Sequence, residues 1–256
     1  MKFSKKDLFD QAYTRFTPDV LQGESIKKYI KDNNQSLVKF IKSYFQQFGG
    51  TEQLRGRHIL EVGCGHGGCL HFLAEQTDKL YGIDLSELAI TQARQLAKEA
   101  QLNINFLDAD ITKGIEFNQT FKLIVDSHLY HCLTDKEERK EYLSFLHKHL
   151  DDDGVVLIET MTYNENIREP LDFELCEDYI LWQNIQGQRY PTRRILPSIE
   201  IEKEIKQSQL KIKTFFYHDE LSFQVFPHIE NYPEFRLPKT IRLSLEKDSF
   251  FLFDNK

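Results

Sequence analysis

The stretch VDSHLYHC, residues 125–132, sets Asp126, His128, His131 and Cys132 close together. Imidazole, thiolate and carboxylate are the usual transition-metal ligands. The two histidines could equally take a proton from a reacting group or orient an acceptor. A zinc set needs a second Cys/His pair at matching spacing, and the remaining cysteines, Cys64, Cys69 and Cys176, form no CxxC pair. No metal is expected here. A second chemical cluster is ILEVGCGHGG, residues 59–68, with glycines at 63, 65, 67 and 68. Such glycines let the backbone turn tightly and approach a ligand, and a helix opening behind them offers free N–H groups to an anion. Acids recur beyond it: Asp84 in GIDLS and Asp108 and Asp110 in NFLDADI.

These residues must be held by regular elements. Residues 1–48 read as helical, with Leu37, Phe40, Ile41, Tyr44, Phe45 and Phe48 at helical spacing before Gly49-Gly50. Strands are predicted at 58–62, 79–84, 104–110, 121–126 and 154–161. Helices are predicted between them at about 67–76, at 86–100 with Ser86 as N-cap, and at 135–150. The alternation predicts a parallel sheet with helices on both faces. ILEV, LIVD and VVLIE are apolar nearly throughout, as expected of strands covered on two sides. Ligands of such sheets bind beyond the carboxyl ends of the strands, so the place to look is after Val62, Asp84, Asp110, Asp126 and Thr160. Residues 162–196 read as an insertion, partly helical around 172–186. A helix at 197–210 and terminal strands at 211–218 and within 240–253, paired antiparallel and joined by a loop, complete the pattern.

Two cofactors fit the glycine loop. Gly63, Gly65 and Gly68 match GxGxxG, and Asp84 about 20 residues on completes a dinucleotide fingerprint. The same stretch also reads E-x-G-x-G-x-G through Glu61, Gly63, Gly65 and Gly67. With GIDLS at 82–86 and NFLDADI at 105–111, it resembles the class I S-adenosylmethionine-dependent methyltransferases of small-molecule type, over roughly residues 55–161. The acid two positions before the first glycine, the long helical segment before the first strand and the acid closing strand three favour this over an NAD(P)-dependent oxidoreductase. A non-catalytic module that only binds the cofactor is a third possibility.

The resemblance implies an α/β fold: a Rossmann-like, doubly wound, mostly parallel sheet of seven strands with the last strand antiparallel. It implies an N-terminal helical lid over residues 1–50, a methyltransferase domain over 51–256 and the insertion after strand five. S-adenosylmethionine would be held by Glu61, the Gly63–Cys64–Gly65–Gly67 backbone, Asp84 on the ribose hydroxyls, Leu85 and Ile111 against adenine, Asp110 at its amino group, with Asp108 as competitor, and Asp126. His128 and His131 are the candidate catalytic residues, and Tyr13, Arg15 and Tyr130 the candidate acceptor contacts, with Phe16 beside them. The NPPY-type tetrad of amide or exocyclic-amine methyltransferases is missing, because DSHL stands there, and no second acidic pair marks a magnesium-dependent type. Tyr163, Trp182, Arg189, Tyr190, Arg193 and Arg194 in the insertion would suit an anionic acceptor, although packing and solvation explain each one as well. A sulfonium methyl is already electrophilic, so a general base is needed only where the acceptor carries a proton.

The formal net charge of −7 argues against a phosphate-backbone binder, so a small-molecule partner and no DNA are expected. Four cysteines without a paired pattern suit a reducing, cytoplasmic compartment. MKFSKKDLFD carries no apolar h-region, and no run of about 18 apolar residues occurs, so neither a secretory signal nor a membrane partner is expected.

Overall fold

The computed structural model describes residues 4–14, 28–29, 32, 34–165, 173–185, 187–218 and 239–248. In chain order its elements are α1 (Lys5–Tyr13), α2 (Gln35–Gln47), β1 (Ile59–Val62), α3 (Gly68–Leu73), β2 (Leu80–Asp84), α4 (Glu87–Glu99), β3 (Ile104–Asp108) and β4 (Phe121–Asp126). There follow α5 (Lys136–His149), β5 (Leu150–Thr162), β6 (Phe173–Leu175), β7 (Ile180–Ile185), β8 (Gln188–Arg194), α6 (Ser198–Lys206), β9 (Leu210–His218) and β10 (Lys239–Lys247). The chain divides into two units, Met1–Ser127 with Lys148–Leu157, and His128–His147 with Ile158–Lys256.

In the first unit every residue of β1 and β4 is buried, which is what their unbroken apolar runs require. β1 pairs in parallel with β2 on one side and β4 on the other, and β2 continues to β3. Strand order therefore reverses between β1 and β4. The carboxyl ends of β1, β2 and β4, at Val62, Asp84 and Asp126, flank that switch point. The stripe Leu37, Phe40, Ile41, Tyr44 and Phe45 on α2 is buried and shares one core with Ile59, Leu70, Leu73 and Leu123. Ser86 caps α4 as its sequence suggests, its hydroxyl accepting the Ala89 N–H at 3.0 Å.

In the second unit β9 and β10 pair antiparallel, with a bulge between Ser244 and Leu245. The helix expected around 172–186 is absent. The segment forms instead an antiparallel three-stranded sheet, β6-β7-β8. Gly187, with φ +77°, stands between the end of β7 and the start of β8, a hairpin signal that outweighs the helical spacing of the flanking apolar residues. Tyr163 N–H and the Thr162 hydroxyl both donate to Leu196 O, at 3.0 and 2.8 Å, so the chain leaves and returns at nearly one point. The loop expected between β9 and β10 lies outside the described residues. Across the sheet the strand order is β3-β2-β1-β4-β5-β10-β9, seven strands with an antiparallel pair at the end. Among the described residues no helix is long and apolar enough to cross a membrane.

Candidate cofactor and acceptor site

The loop after β1 is built on left-handed glycines: Gly63 at φ 62°, Gly65 at 50° and Gly67 at 75°. It is pinned to the sheet by Cys64 N–H donating to Ile83 O at 2.9 Å. The Cys64 thiol is enclosed, and burial pushes it well above the usual range, so this residue serves the site through its backbone. Phe106 fills the floor of the loop. A Cβ at Gly67 would lie 2.9 Å from Phe106 Cζ, and one at Gly82 would lie 2.8 Å from Phe106 Cδ1 and 2.9 Å from Cys64 Sγ.

Glu61 is fully buried beneath this loop. Its Oε2 accepts the Leu70 N–H of the first turn of α3 at 3.2 Å, and Asn34 Nδ2 approaches Oε1 at 3.5 Å while donating to Ser127 Oγ at 2.8 Å. Burial pushes the Glu61 carboxyl up to about 7, against hydrogen bonds from Ser127, Leu70 and Cys69. Asp84 ends β2 with Oδ2 accepting Gly65 N–H at 2.8 Å and Oδ1 accepting Ser86 N–H at 2.9 Å. Burial nevertheless holds it above the ordinary carboxylate range. Asp110 closes a tight turn, its Oδ1 taking the Thr112 N–H at 3.0 Å and hydroxyl at 2.6 Å, beside buried Ile111. Asp108, the competitor for Asp110, is turned to Arg94 at 3.7 Å. Leu85 is half-buried next to Asp84, and Asp126 is fully buried opposite Val62.

The N-terminal segment contributes to the same neighbourhood. α1 is tied to α4 by Lys6 with Glu87 at 2.8 Å and by the Ser86 hydroxyl donating to Asp10 at 2.5 Å. The Tyr13 hydroxyl lies 2.5 Å from where a Cβ of Gly65 would be. Arg15 and Phe16 lie outside the described residues. His66, inside the glycine loop, joins this neighbourhood without being marked by the motif. Gln92 gives its amide N–H to Tyr13 O at 3.2 Å, so its Oε1 faces His66 Nε2 at 2.8 Å and must accept from it. His66 Nδ1 then accepts from the Tyr29 hydroxyl at 2.5 Å. Burial keeps this histidine neutral by lowering its pKa. A His between two glycines, with tyrosines in the segment before it, was the only hint available.

At the amino ends of the same strands lies a cleft of ≈ 590 Å³, bordered by Arg57, His58, Lys79, Phe117 and Lys148. Its arginine is already held by Asp151 and Asp153, at 2.7 and 2.9 Å. The converging acids and bare glycine backbone are at the other end of the strands, where ligands of open α/β sheets bind.

In the second unit the chain turns at His128, whose φ of +68° is rare for a residue with a side chain. Its Nε2 lies 2.9 Å from Glu159 Oε1 on β5, and Arg242 Nε on β10 donates to Glu159 Oε2 at 2.7 Å. Glu159 has no exposed surface; burial pushes it up, but His128 and Arg242 outweigh this and hold it below the usual range. His131 is enclosed, with Nδ1 against Thr160 Oγ1 at 3.1 Å and accepting Met161 N–H at 3.4 Å. Burial, then Arg193, His128 and Arg139, drive its pKa well below normal. Tyr130 has 0% exposure; its hydroxyl donates to Glu204 at 2.7 Å and its ring lies 3.8 Å from the Arg139 guanidinium. Arg139 is itself buried and bonds Glu204 at 2.8 and 2.7 Å and Tyr130 O at 2.8 Å. Half-buried Trp182 carries Arg189 at 4.8 Å, and Arg189 pairs with Glu174 at 2.7 Å. Among the described residues no group of three or more His, Cys, Asp and Glu could hold a metal ion.

Residues 59–154 match the methyltransferase-domain family. The ubiquinone biosynthesis O-methyltransferase of Coxiella burnetii is 36% identical over 84 residues, 33% of this chain and 36% of that protein. The chain thus spans about a third of the length of the curated relatives it matches there. An S-adenosylmethionine-dependent methyltransferase from Clostridium acetobutylicum superposes with a TM-score of 0.61 at 17% identity, over 94% of this chain and 98% of that one. The Burkholderia thailandensis 1,6-didemethyltoxoflavin-N1-methyltransferase, solved with its acceptor and S-adenosylhomocysteine, gives 0.56 at 15% identity over 84% and 79%. The chain shares the fold of these S-adenosylmethionine-dependent methyltransferases, and its likeness to the methyltransferase-domain family covers residues 59–154. Its methyltransferase domain is carried by the stretch from β1 through the glycine loop to the start of β5, residues 59–154.

Proposed function

We propose that this chain moves a methyl group from S-adenosylmethionine to a small-molecule acceptor. The observation that carries the reading is the pairing of Asp84 with Gly65: a carboxylate at the end of β2 grips a loop made of three left-handed glycines. A carboxylate offers about four acceptor positions. The N–H groups of Gly65, Leu85 and Ser86 fill three of them, leaving capacity for a ribose hydroxyl. Bare backbone at Gly63, Gly65 and Gly67 suits the methionine part. Leu85 and Ile111 with the Asp110 carboxylate suit an adenine edge. Glu61 holds the turn below, and Asp126 closes β4 beside it.

When bound, the cofactor supplies an electrophilic methyl on a sulfonium sulfur. The chain's own task is to orient the acceptor and exclude water. His128 follows directly on Ser127, whose N–H donates to Val62 O at 2.9 Å, so we assign it to the acceptor. His131, enclosed and neutral, supports the turn that carries it. Tyr13, and Arg15 from the segment after it, are assigned to a lid over the acceptor. Tyr130 is left out of the acceptor set because its ring and hydroxyl are both engaged inside its own unit. The O-methyltransferase name of one relative and the N1-methyltransferase name of another support transfer to oxygen or nitrogen of a small molecule. Calorimetric titration with S-adenosylhomocysteine and with NADH tests the cofactor. Binding of the first is expected, and tight binding of NADH alone overturns the proposal.

A further inference from the structure

At the amino ends of β1, β2 and β4 the first unit carries a cleft of ≈ 590 Å³, within the size range of small-molecule pockets. Ile59 N–H donates to Lys79 O at 3.0 Å and Lys122 N–H to His58 O at 2.9 Å, so the starts of the three strands set Arg57, His58 and Lys79 side by side. The cleft shares no residue with the glycine loop. The two are separated by the length of β1, about 13 Å at ~3.3 Å per residue.

Charge and shape together give the cleft a ligand chemistry. Arg57 is clamped by Asp151 and Asp153, Lys122 meets Asp153 at 3.0 Å, and Lys148 meets Glu116 at 2.5 Å. These three cations and three carboxylates balance. Lys79 is exposed and has no ion pair among the described residues. Among the residues lining the cleft and their ion-pair partners one positive charge is therefore left over, in a chain whose net charge is −7. Both Arg57 contacts use Nη2, so among the described residues Nη1 and Nε keep their N–H donors, on a guanidinium that is already fixed in place. Beside these cations stand rings. Phe117 is half-buried and held edge-on by Phe121 and His149, with ring centroids 5.1 and 5.6 Å away, and His58 stands edge-on to Tyr81 at 5.8 Å. They make a fixed wall on which a flat ring buries apolar area in a set geometry.

We propose that this cleft is a second binding site, for a small aromatic monocarboxylate. Its carboxylate takes the open donors of Arg57 and the Lys79 ammonium, and its ring lies against Phe117 and His58. One surplus charge balances a monoanion. A phosphate dianion would bring a second negative charge beside Asp151 with nothing to meet it. The site is independent of the methyl-transfer reading, because it lies away from the cofactor loop.

Nitrogen-15 spectra of the full chain, titrated with naphthoate, test the site. The Gly56, Gln119 and Thr120 amide signals should move together, with half-saturation at about 1 mM or below, while those of Gly63, Gly65 and Gly67 stay in place. Naphthamide lacks the charge, acetate lacks the ring, and inorganic phosphate carries excess charge; each should bind at least about tenfold more weakly. Lys79→Gln should weaken naphthoate about tenfold, and because Lys79 is exposed the change does not threaten the fold. The proposal is overturned if naphthoate leaves the Gly56, Gln119 and Thr120 signals unmoved or shifts the glycine loop instead. It is equally overturned if any of the three comparison compounds binds as tightly as naphthoate, or if Lys79→Gln binds naphthoate like the wild type.

Discussion

Glu61 makes the stability of this protein depend on pH in a direction opposite to most carboxylates. It is fully buried, and its pKa rises from the ordinary 4.5 to about 7 on folding. A carboxyl whose pKa is higher folded than unfolded keeps its proton longer in the folded state. Its effect is absent below about pH 4.5, stability falls as pH rises from there to about 7, and the loss is complete above. At ~1.4 kcal/mol per pKa unit the loss comes to roughly 3 kcal/mol. Glu61→Gln keeps an oxygen for the Leu70 N–H and removes the titration. Urea unfolding of both proteins, followed by circular dichroism from pH 4.5 to 8, isolates the effect, since all other groups cancel in the difference. The variant should gain on the wild type by roughly 3 kcal/mol over that range. Parallel curves would refute the reasoning and mean that Glu61 is ionised in the fold at little cost.

Arg139→Met should destabilise the protein by about 1–3 kcal/mol in denaturant titration, because it leaves the buried Tyr130 carbonyl without this donor and leaves Glu204, which is partly exposed, with the Tyr130 hydroxyl but without its charge partner. His71 is buried with neither ring nitrogen bonded among the described residues, and burial lowers it to about 4. His71→Leu should therefore stabilise by ~1 kcal/mol at pH 8. Its advantage should grow as pH falls from 6.5 towards 4, where the wild-type unfolded state takes up a proton that the fold resists; thermal melts at both ends of the range check it. Gly67→Ala puts a side chain at φ +75° against Phe106, a cost of at least ~1–2 kcal/mol, and calorimetry should show affinity for S-adenosylhomocysteine falling at least about tenfold.

The glycine loop and the acids after β2 and β3 are local features, spaced along the chain as they are in space, so the sequence displays them. The same holds for β1 and β4, whose burial on both faces demands continuous apolar runs. What stayed hidden depends on partners far along the chain. Glu159 stands 31 residues from His128, and nothing in VVLIETM says which charge it answers. Nothing in DKEERK marks Arg139 as a core residue, because the Glu204 that holds it lies 65 residues on. In the 172–186 segment the deciding signal is local: Gly187 marks a hairpin, and it outweighs the weak helical periodicity of the residues before it.

Phe106 occupies the space that Gly67 and Gly82 leave open, with Cys64 sharing the second gap. This constrains the order in which the sequence can drift. Gly82 has no left-handed requirement, so alanine there is opposed only by its neighbours, and it becomes tolerable once position 106 is smaller and Cys64 can turn. The reverse order passes through a chain with a clash beneath its cofactor loop. Residues at 64, 82 and 106 are thus expected to change as a set among descendants of this protein, and a variant taken from a relative one position at a time would look harmful where the combination is neutral.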